Sequence, residues 1–186
     1  DGFYMAESVT SNASSLVANI NDAPTGYVVI TGRVVQGQTL TAINSLNDAD
    51  GMGTISYQWN MGGNPIIDAT ESTFTLTESQ VGKTINVAAI YTDGHGTVES
   101  VSSAATIAVG NINDAPTGTV TITGTPTLGQ VLTASNTIAD PDGLGAISYQ
   151  WSAAGVAISG ATSNTFTLGS AQVGKTVKVT ASYTDG

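Results

Sequence analysis

The sequence predicts an all-β protein made of tandem antiparallel sandwich domains. Three observations lead to this fold class: short segments rich in Thr and Val between Gly-rich turns, few charged residues, and a long internal repeat. Of the 186 residues, 22 are Gly and only 10% are charged. β-branched residues fit a half-buried pleated surface and Gly forms turns, whereas the Leu, Glu, Lys and Arg that build amphipathic helices are scarce in this chain.

Seven strand candidates follow one another within one copy of the repeat. Several alternate between apolar and polar side chains, so each presents one face to a core. Many short strands separated by turns predict a sandwich or a barrel. The candidates are residues 27–31, 39–45, 54–60, a weak segment around Ile66, 73–77, 84–92 and 98–109. The side chains predicted to face inward from the last alternating segments are Phe74, Leu76, Ile85, Val87, Ala89 and Tyr91.

The repeat has a fixed period. The hexapeptide Asn-Asp-Ala-Pro-Thr-Gly at residues 21–26 recurs at 113–118, an offset of 92 residues. Ile-Ser-Tyr-Gln-Trp and Gln-Val-Gly-Lys-Thr recur at the same offset. Residues 1–20 therefore align with the end of a unit. We predict that residues 1–20 are the last strand of a preceding or neighbouring repeat, 21–112 a complete repeat, and 113–186 a second repeat without its last strand.

These motifs resemble a known class of domain. Ser-Tyr-Gln-Trp at 56–59 resembles the strand-C tryptophan of immunoglobulin-like sandwiches, and Val-Gly-Lys-Thr at 81–84 resembles their E–F corner. With the hexapeptide and the Asp-x-Asp-Gly-x-Gly turn, the unit resembles the bacterial immunoglobulin-like and cadherin-like tandem repeats of giant repeat-in-toxin-type surface adhesins. The resemblance implies Greek-key sandwiches of about seven strands. It also implies an extracellular location on a bacterial cell surface and a role in cell adhesion or biofilm.

One departure from the immunoglobulin pattern concerns the core. The chain has no cysteine, so the disulfide that packs against the strand-C tryptophan in antibody domains is absent. We therefore expect Trp59 and Trp151 to be core residues that pack on aliphatic side chains.

Acidic residues cluster in three predicted elements of each unit. In the first unit these are the B–C loop at residues 47–53, the F–G turn that begins at Asp93, and the entering linker at residues 19–22. In a sandwich of this topology these lie at one end, where the carboxylates would repel one another. Ca²⁺ takes six to eight oxygen ligands from such groups. The linker also resembles the calcium linker of cadherins, which implies a metal between successive domains. The candidate ligands of the two units are Asn19, Asn21, Asp22, Asp48, Asp50, Asp93, Asn111, Asn113, Asp114, Asp140, Asp142 and Asp185. Asp1 belongs to the corresponding cluster of the truncated preceding unit.

A weak extracellular calcium site, with a dissociation constant of roughly 10⁻⁴ to 10⁻³ M, would fit these clusters. Calcium would then stiffen the junctions between domains. The alternative is that Asp-Gly and Asn-Asp are only turn-formers.

Composition disfavours several functions. There are 14 acidic and 4 basic residues, and a net charge of −10 repels nucleic acid and anionic lipid headgroups. No apolar run is long enough to span a bilayer. His95 is the single histidine and its counterpart in the sister repeat is Phe3, so we expect no catalytic site and no zinc site. We expect no enzyme, no nucleic-acid partner and no membrane insertion.

The favoured function is an extracellular structural or adhesive repeat that forms a stalk or fibre. Its partners would be further copies of the repeat, in cis or by strand exchange in trans, and cell-surface or matrix glycans. One alternative is a head-to-tail filament in which residues 1–20 complete a neighbour's residues 113–186. Another is a carbohydrate-binding module, which would need a row of exposed aromatics, with Phe3, Tyr4 and Tyr27 as the candidates. A hydrolase using His95 is a further alternative.

Overall fold

The computed structural model describes residues 6–185, so Asp1, Phe3 and Tyr4 lie outside the described residues. The chain divides into two compact units. Unit 1 comprises the residues up to Leu76 together with Gly82–Val109, and unit 2 comprises Thr77–Val81 together with the residues from Gly110 onward. The short segment Thr77–Val81 thus groups with unit 2, although it precedes the predicted boundary at residue 113.

The described part of unit 1 contains seven strands in two antiparallel sheets. One sheet has the order β1-β2-β5 and the other has the order β4-β3-β6-β7. This is the predicted immunoglobulin-like sandwich, and the strands occur where the alternating segments were found. They are β1 (Val28–Thr31), β2 (Thr39–Asn44), β3 (Ser56–Met61), β4 (Asn64–Pro65), β5 (Thr73–Thr75), β6 (Ile85–Thr92) and β7 (Val98–Ser102). A 3-10 helix, Glu78–Gln80, lies between β5 and β6 in sequence.

Unit 2 repeats this arrangement over the residues that the structure describes. Its sheets have the orders β8-β9-β12 and β11-β10-β13, so β13 is an edge strand. The register is also preserved, because Trp151 pairs with Val179 as Trp59 pairs with Val87. The elements are β8 (Val120–Thr123), β9 (Val131–Asn136), β10 (Ser148–Ala153), β11 (Val156–Ala157), β12 (Thr165–Thr167), the 3-10 helix Ser170–Gln172, and β13 (Val177–Ser182).

The last predicted strand of unit 1 is shorter than expected. Residues 98–109 were predicted as one strand, but regular pairing ends at Ser102. Residues 103–109 still follow the edge of β6. Here side-chain hydroxyls replace part of the backbone ladder: Ser103 Oγ accepts the N–H of Val87 and Thr106 Oγ1 accepts the N–H of Ile85.

Both tryptophans are core residues, as predicted. Trp59 is fully buried, and its indole N–H donates a hydrogen bond to the Glu71 carbonyl at 2.8 Å. Trp151 makes the equivalent bond to Ser163 at 2.9 Å. The expected aliphatic packing is confirmed, because Trp59 lies in one core cluster with Leu40, Leu76, Ile85 and Val87. Phe74 also stacks on Trp59, with ring centroids 5.6 Å apart. The residues predicted to face inward from β6 are all buried, namely Ile85, Val87, Ala89 and Tyr91.

The last residue of the repeated hexapeptide has to be glycine for steric reasons. Gly26 has φ +94°, and a Cβ there would lie 2.3 Å from the Ser45 carbonyl oxygen. Gly118 repeats this with φ +91° and 2.1 Å to the Thr137 carbonyl. Only glycine tolerates both the backbone angle and the close approach. The hexapeptide therefore brings the entering chain onto the strand before the B–C loop.

Candidate functional site

The first aspartate of the B–C loop is a structural anchor. Asp48 is buried, and its Oδ2 accepts a 2.6 Å hydrogen bond from the Tyr91 hydroxyl. Its Oδ1 accepts the N–H of Asp50 at 2.9 Å. Burial and the bond to Asp48 raise the pKa of Tyr91 well above its ordinary range. Both oxygens of Asp48 are thus already engaged within the protein, which assigns this residue to holding the loop.

The second aspartate of the loop fastens the entering linker. Asp50 Oδ2 accepts the backbone N–H of Asp22 at 2.6 Å. Its backbone carbonyl accepts the N–H of Gly94 at 3.0 Å, and its Oδ1 lies 3.8 Å from His95 Nε2. A Cβ on Gly94 would lie 2.4 Å from the Asp50 carbonyl oxygen, so the two loops touch through backbone. Linker, B–C loop and F–G turn converge in unit 1, as the sequence predicted.

Asp93, in the F–G turn, is buried where the three elements meet, and one of its carboxylate oxygens has no hydrogen-bond donor among the described residues. Its Oδ1 accepts the N–H groups of His95 and Thr97 at 2.9 and 2.7 Å. Its Oδ2 is buried and accepts no hydrogen bond from the described residues. Burial alone raises the pKa of Asp93, but the hydrogen bonds from Thr97, His95 and Gly96 outweigh it and lower the pKa. The group therefore stays ionised and can accept a cation at Oδ2.

Unit 2 builds the same loop from its own residues. Asp140 Oδ2 accepts a 2.5 Å bond from the Tyr183 hydroxyl, and that bond, with burial, raises the pKa of Tyr183 to about 12. Asp140 Oδ1 accepts the N–H of Asp142 at 3.1 Å. Asp142 Oδ2 then accepts the linker N–H of Asp114 at 2.5 Å. The repetition of each bond shows that sequence identity at these positions specifies the loop geometry.

Within unit 2 the carboxylate of Glu78 lies close to those of Asp114 and Asp142. Among the described residues, Glu78, Asp114 and Asp142 form a group whose carboxylate oxygens lie within 4.8 Å of one another. Glu78 Oε2 and Asp142 Oδ1 are buried and accept no hydrogen bond from the described residues. Burial first, and then repulsion from Asp142 and Asp114, raise the pKa of Glu78. We name this group the carboxylate cluster.

Sequence reasoning missed Glu78. It lies in the turn before β6, far along the chain from both the linker and the B–C loop, and its counterpart in the second repeat is Ser170. No spacing rule could have connected it to Asp114 and Asp142. The one available signal was that an acid replaces Ser at this position.

The other predicted ligands are placed in several ways. Asn21 Nδ2 donates to Glu99 Oε1 at 2.8 Å, and Asn113 Nδ2 donates to the Asp114 carbonyl at 2.9 Å. Asn19 and Asn111 are exposed. Asp185 is half-buried and contributes to raising the pKa of Tyr183, so it lies close to the F–G side of the unit 2 site.

The carboxylate cluster suits a hard divalent cation. Three carboxyl groups lie close together in a small volume, and two of their oxygens are buried without a hydrogen-bond donor among the described residues. Such oxygens are costly unless a donor or a cation compensates them. Ca²⁺ accepts ligands from carboxylates and backbone carbonyls in flexible geometry. Glu78, Asp114 and Asp142 are therefore the residues that would hold such an ion.

Comparisons with known proteins add little to this geometry. No protein-family model matches the chain, and no curated protein matches it in sequence. Among the solved structures, the chain is similar to the three N-terminal domains of the bacteriophage RB49 Highly Immunogenic Outer Capsid protein (Hoc), with 20% identity and a TM-score of 0.32. That similarity covers 87% of this chain and 58% of the other. A TM-score this low carries no argument, so the fold assignment here rests on strand order and register.

No helix among the described residues has the length and apolarity needed to cross a bilayer.

Proposed function

We propose that the chain is a structural and adhesive repeat of an extracellular stalk or fibre on a bacterial cell surface. The observation that carries this proposal is the recurrence of the same strand order and linker contact in both units. In unit 1 the linker N–H of Asp22 bonds Asp50, and in unit 2 the N–H of Asp114 bonds Asp142. A linker fastened to the unit it enters limits the freedom of that joint, which a string of domains under tension requires.

Calcium is the second part of the proposal. The carboxylate cluster in unit 2 would supply oxygens from the linker end of that unit. In unit 1 Asp93 would offer its buried Oδ2, with Asp22 and Asp50 as the other predicted ligands, but the described residues of unit 1 form no equally close carboxylate group. Binding there would neutralise repulsion that the folded state otherwise carries. It would stiffen the junction at extracellular calcium levels and loosen it when calcium falls.

The experiment is calorimetric unfolding in chelator and then in 1 mM calcium. With a dissociation constant of about 10⁻⁴ M, binding raises the melting temperature of the unit that holds the ion by about 5–10 °C. The double variant Glu78→Gln/Asp142→Asn should lose the calcium shift of unit 2. Glu71→Gln, an exposed acid in unit 1, is the matched control and should keep the shift.

Two outcomes would contradict the calcium proposal: an unchanged melting temperature in calcium, or a shift that survives in the double variant. Either would leave the acidic residues as turn-formers and solvating charge. The stalk role is tested separately, by labelling intact cells of the source organism with an antibody against this chain. Labelling only after lysis would contradict a surface location.

We further propose that the chain has no catalytic role and binds neither nucleic acid nor membrane. His95 is exposed, and its Nε2 lies 3.8 Å from Asp50 Oδ1 in the loop contact between Asp50 and the F–G turn. Glycans stay a proposed partner of the parent stalk. Among the described residues Tyr27 is the one aromatic side chain in the set of exposed large hydrophobics, so no row of stacking platforms supports a carbohydrate-binding module.

A further inference from the structure

A small cavity lies beside β5 in unit 1, and an equivalent one lies beside β12 in unit 2. The first has a volume of about 230 Å³ and is lined by β5 and by the loop of residues 67–71. The second has a volume of about 320 Å³ and is lined by β12 and by residues 159–163. Phe74 lines the first cavity and Phe166 the second. Because the two cavities recur at the offset of 92 residues, they are a feature of the fold.

The strand beside each cavity has an open edge. β5 is the outer strand of its sheet, and β12 has the same place in unit 2, so one edge of each is unpaired within the sheets that the structure describes. Backbone hydrogen bonds join β2 to the chain at Ser72 and at Leu76. Such bonds recur at every second residue of an antiparallel pair, so the N–H and C=O groups of Thr73 and Thr75 point away from β2. An edge of this kind can accept a strand from a partner.

The two cavities differ in charge. Asp68 and Glu71 line the cavity of unit 1, and their counterparts in unit 2 are Gly160 and Ser163. Both acids are exposed, and neither belongs to an ion pair with a described residue. The open edge of unit 1 therefore lies beside uncompensated negative charge, whereas that of unit 2 does not.

A strand added to β5 would place one side chain in the cavity. Residues that lie opposite each other on neighbouring strands point to the same face of the sheet, so the partner residue opposite Phe74 would point inward. A Lys or Arg at that place would bring its charge to Asp68 and Glu71. Its methylene stem would contact Ile67, which lines the same cavity and is 88% exposed.

We propose that the open edge of β5 binds an extended peptide segment of a partner protein that carries a Lys or Arg. The peptide backbone pairs with Thr73 and Thr75, and the basic side chain enters the cavity lined by Asp68 and Glu71. Charge complementarity selects this occupant, because a chain with a net charge of −10 repels an acidic segment, and a neutral side chain leaves both carboxylates unpaired. Unit 2 has the edge without the acids and binds such a peptide weakly. The inference does not depend on calcium.

The test is an NMR titration of the isotope-labelled chain in the presence of a chelator. The probe is a short capped peptide of alternating Thr and Val in which the central Val is replaced by Lys. We expect the amide signals of Thr73 and Thr75 to shift, with saturation at roughly millimolar peptide. The same peptide with Gln at its centre should bind at least tenfold more weakly. Equal affinity for the two peptides, or unshifted β5 signals at millimolar peptide, would overturn the proposal.

Exchanging residues between the two units supplies a charge-matched control. Asp68→Gly/Glu71→Ser gives unit 1 the residues that unit 2 already carries in the same fold, and it should weaken binding of the Lys peptide at least tenfold. Adding Gly160→Asp/Ser163→Glu restores the net charge of −10 and should move binding to unit 2, so that the amides of β12 shift in place of those of β5. Asp is tolerated at this position, since Asp68 itself has φ +60°. Unchanged binding in the first variant, or binding that stays at β5 in the second, would show that the two acids do not select the peptide.

Discussion

The Tyr91 hydroxyl donates a 2.6 Å hydrogen bond to Asp48 Oδ2, and both side chains are buried. The bond joins β6 to the B–C loop across 43 residues of chain. Tyr183 and Asp140 make the same bond in unit 2. The pair holds the loop that positions the second aspartate, so it supports the candidate cation site without needing to be part of it.

Replacing Asp48 by Ala should therefore destabilise unit 1 whether or not calcium is present. The change leaves the Tyr91 hydroxyl and the Asp50 N–H without acceptors, and we expect the melting temperature of unit 1 to fall by about 5 °C. Calorimetry in chelator and in calcium measures this, with the exposed Asp68→Asn as control. A loss seen only in calcium would instead make Asp48 a ligand.

The tyrosine–aspartate bonds also predict behaviour in alkali. The pKa of Tyr183 is about 12 in the folded protein, above its unfolded value of about 10. A raised pKa means that the unfolded chain releases the proton first, so the stabilisation is complete below about pH 10 and is lost as pH rises toward about 12. Urea midpoints between pH 8 and 12 should show this decline for unit 2.

Tyr183→Phe is the control for this dependence, because it removes the titrating hydroxyl. The variant should be less stable than the parent at pH 8 and should decline less steeply above pH 10. An equally steep decline in the variant would show that other groups cause the alkaline loss.

Trp59→Ala should remove most of the stability of unit 1. The ring is fully buried, stacks on Phe74 and donates to the Glu71 carbonyl, so its loss leaves both a cavity and an unpaired acceptor. We expect a cost of about 3–5 kcal/mol from denaturant unfolding. Tyr27→Ala, at an exposed aromatic of the same unit, should cost little. Similar losses in both variants would contradict the assignment of Trp59 to the core.

Gly118→Ala and Gly129→Ala distinguish the cost of a positive φ from the cost of a steric clash with the neighbouring backbone. Both residues have positive φ, but a Cβ on Gly118 would lie 2.1 Å from the Thr137 carbonyl, whereas a Cβ on Gly129 meets nothing within 4 Å. Gly129→Ala should cost about 1–2 kcal/mol from backbone strain alone. Gly118→Ala should cost clearly more, as measured by urea unfolding of unit 2. Equal costs would mean that the linker moves aside freely.

Much of the fold could be predicted because its signals are local. Alternation in residues 84–92 identified the buried face of β6, and the repeat located the equivalent strands of unit 2. The prediction failed at residues 103–109, where hydroxyl side chains of Ser103 and Thr106 replace ladder bonds. Phe74 was predicted to face inward, and its stacking on Trp59 confirms this. The failure at residues 103–109 arises from side-chain contacts that strand periodicity does not encode.

For the candidate site, the sequence alone determined that linker, B–C loop and F–G turn carry the acids, because turn-forming Asp, Asn and Gly are recognisable by type and spacing. Only the tertiary structure decided their roles. It directed Asp48 inward to Tyr91, left Asp142 with an unmet buried oxygen, and brought Glu78 to Asp114 from a distant part of the chain. These contacts join segments that are far apart in the sequence. The distances between such segments are fixed only when the chain packs into its fold, so the sequence pattern alone does not reveal them.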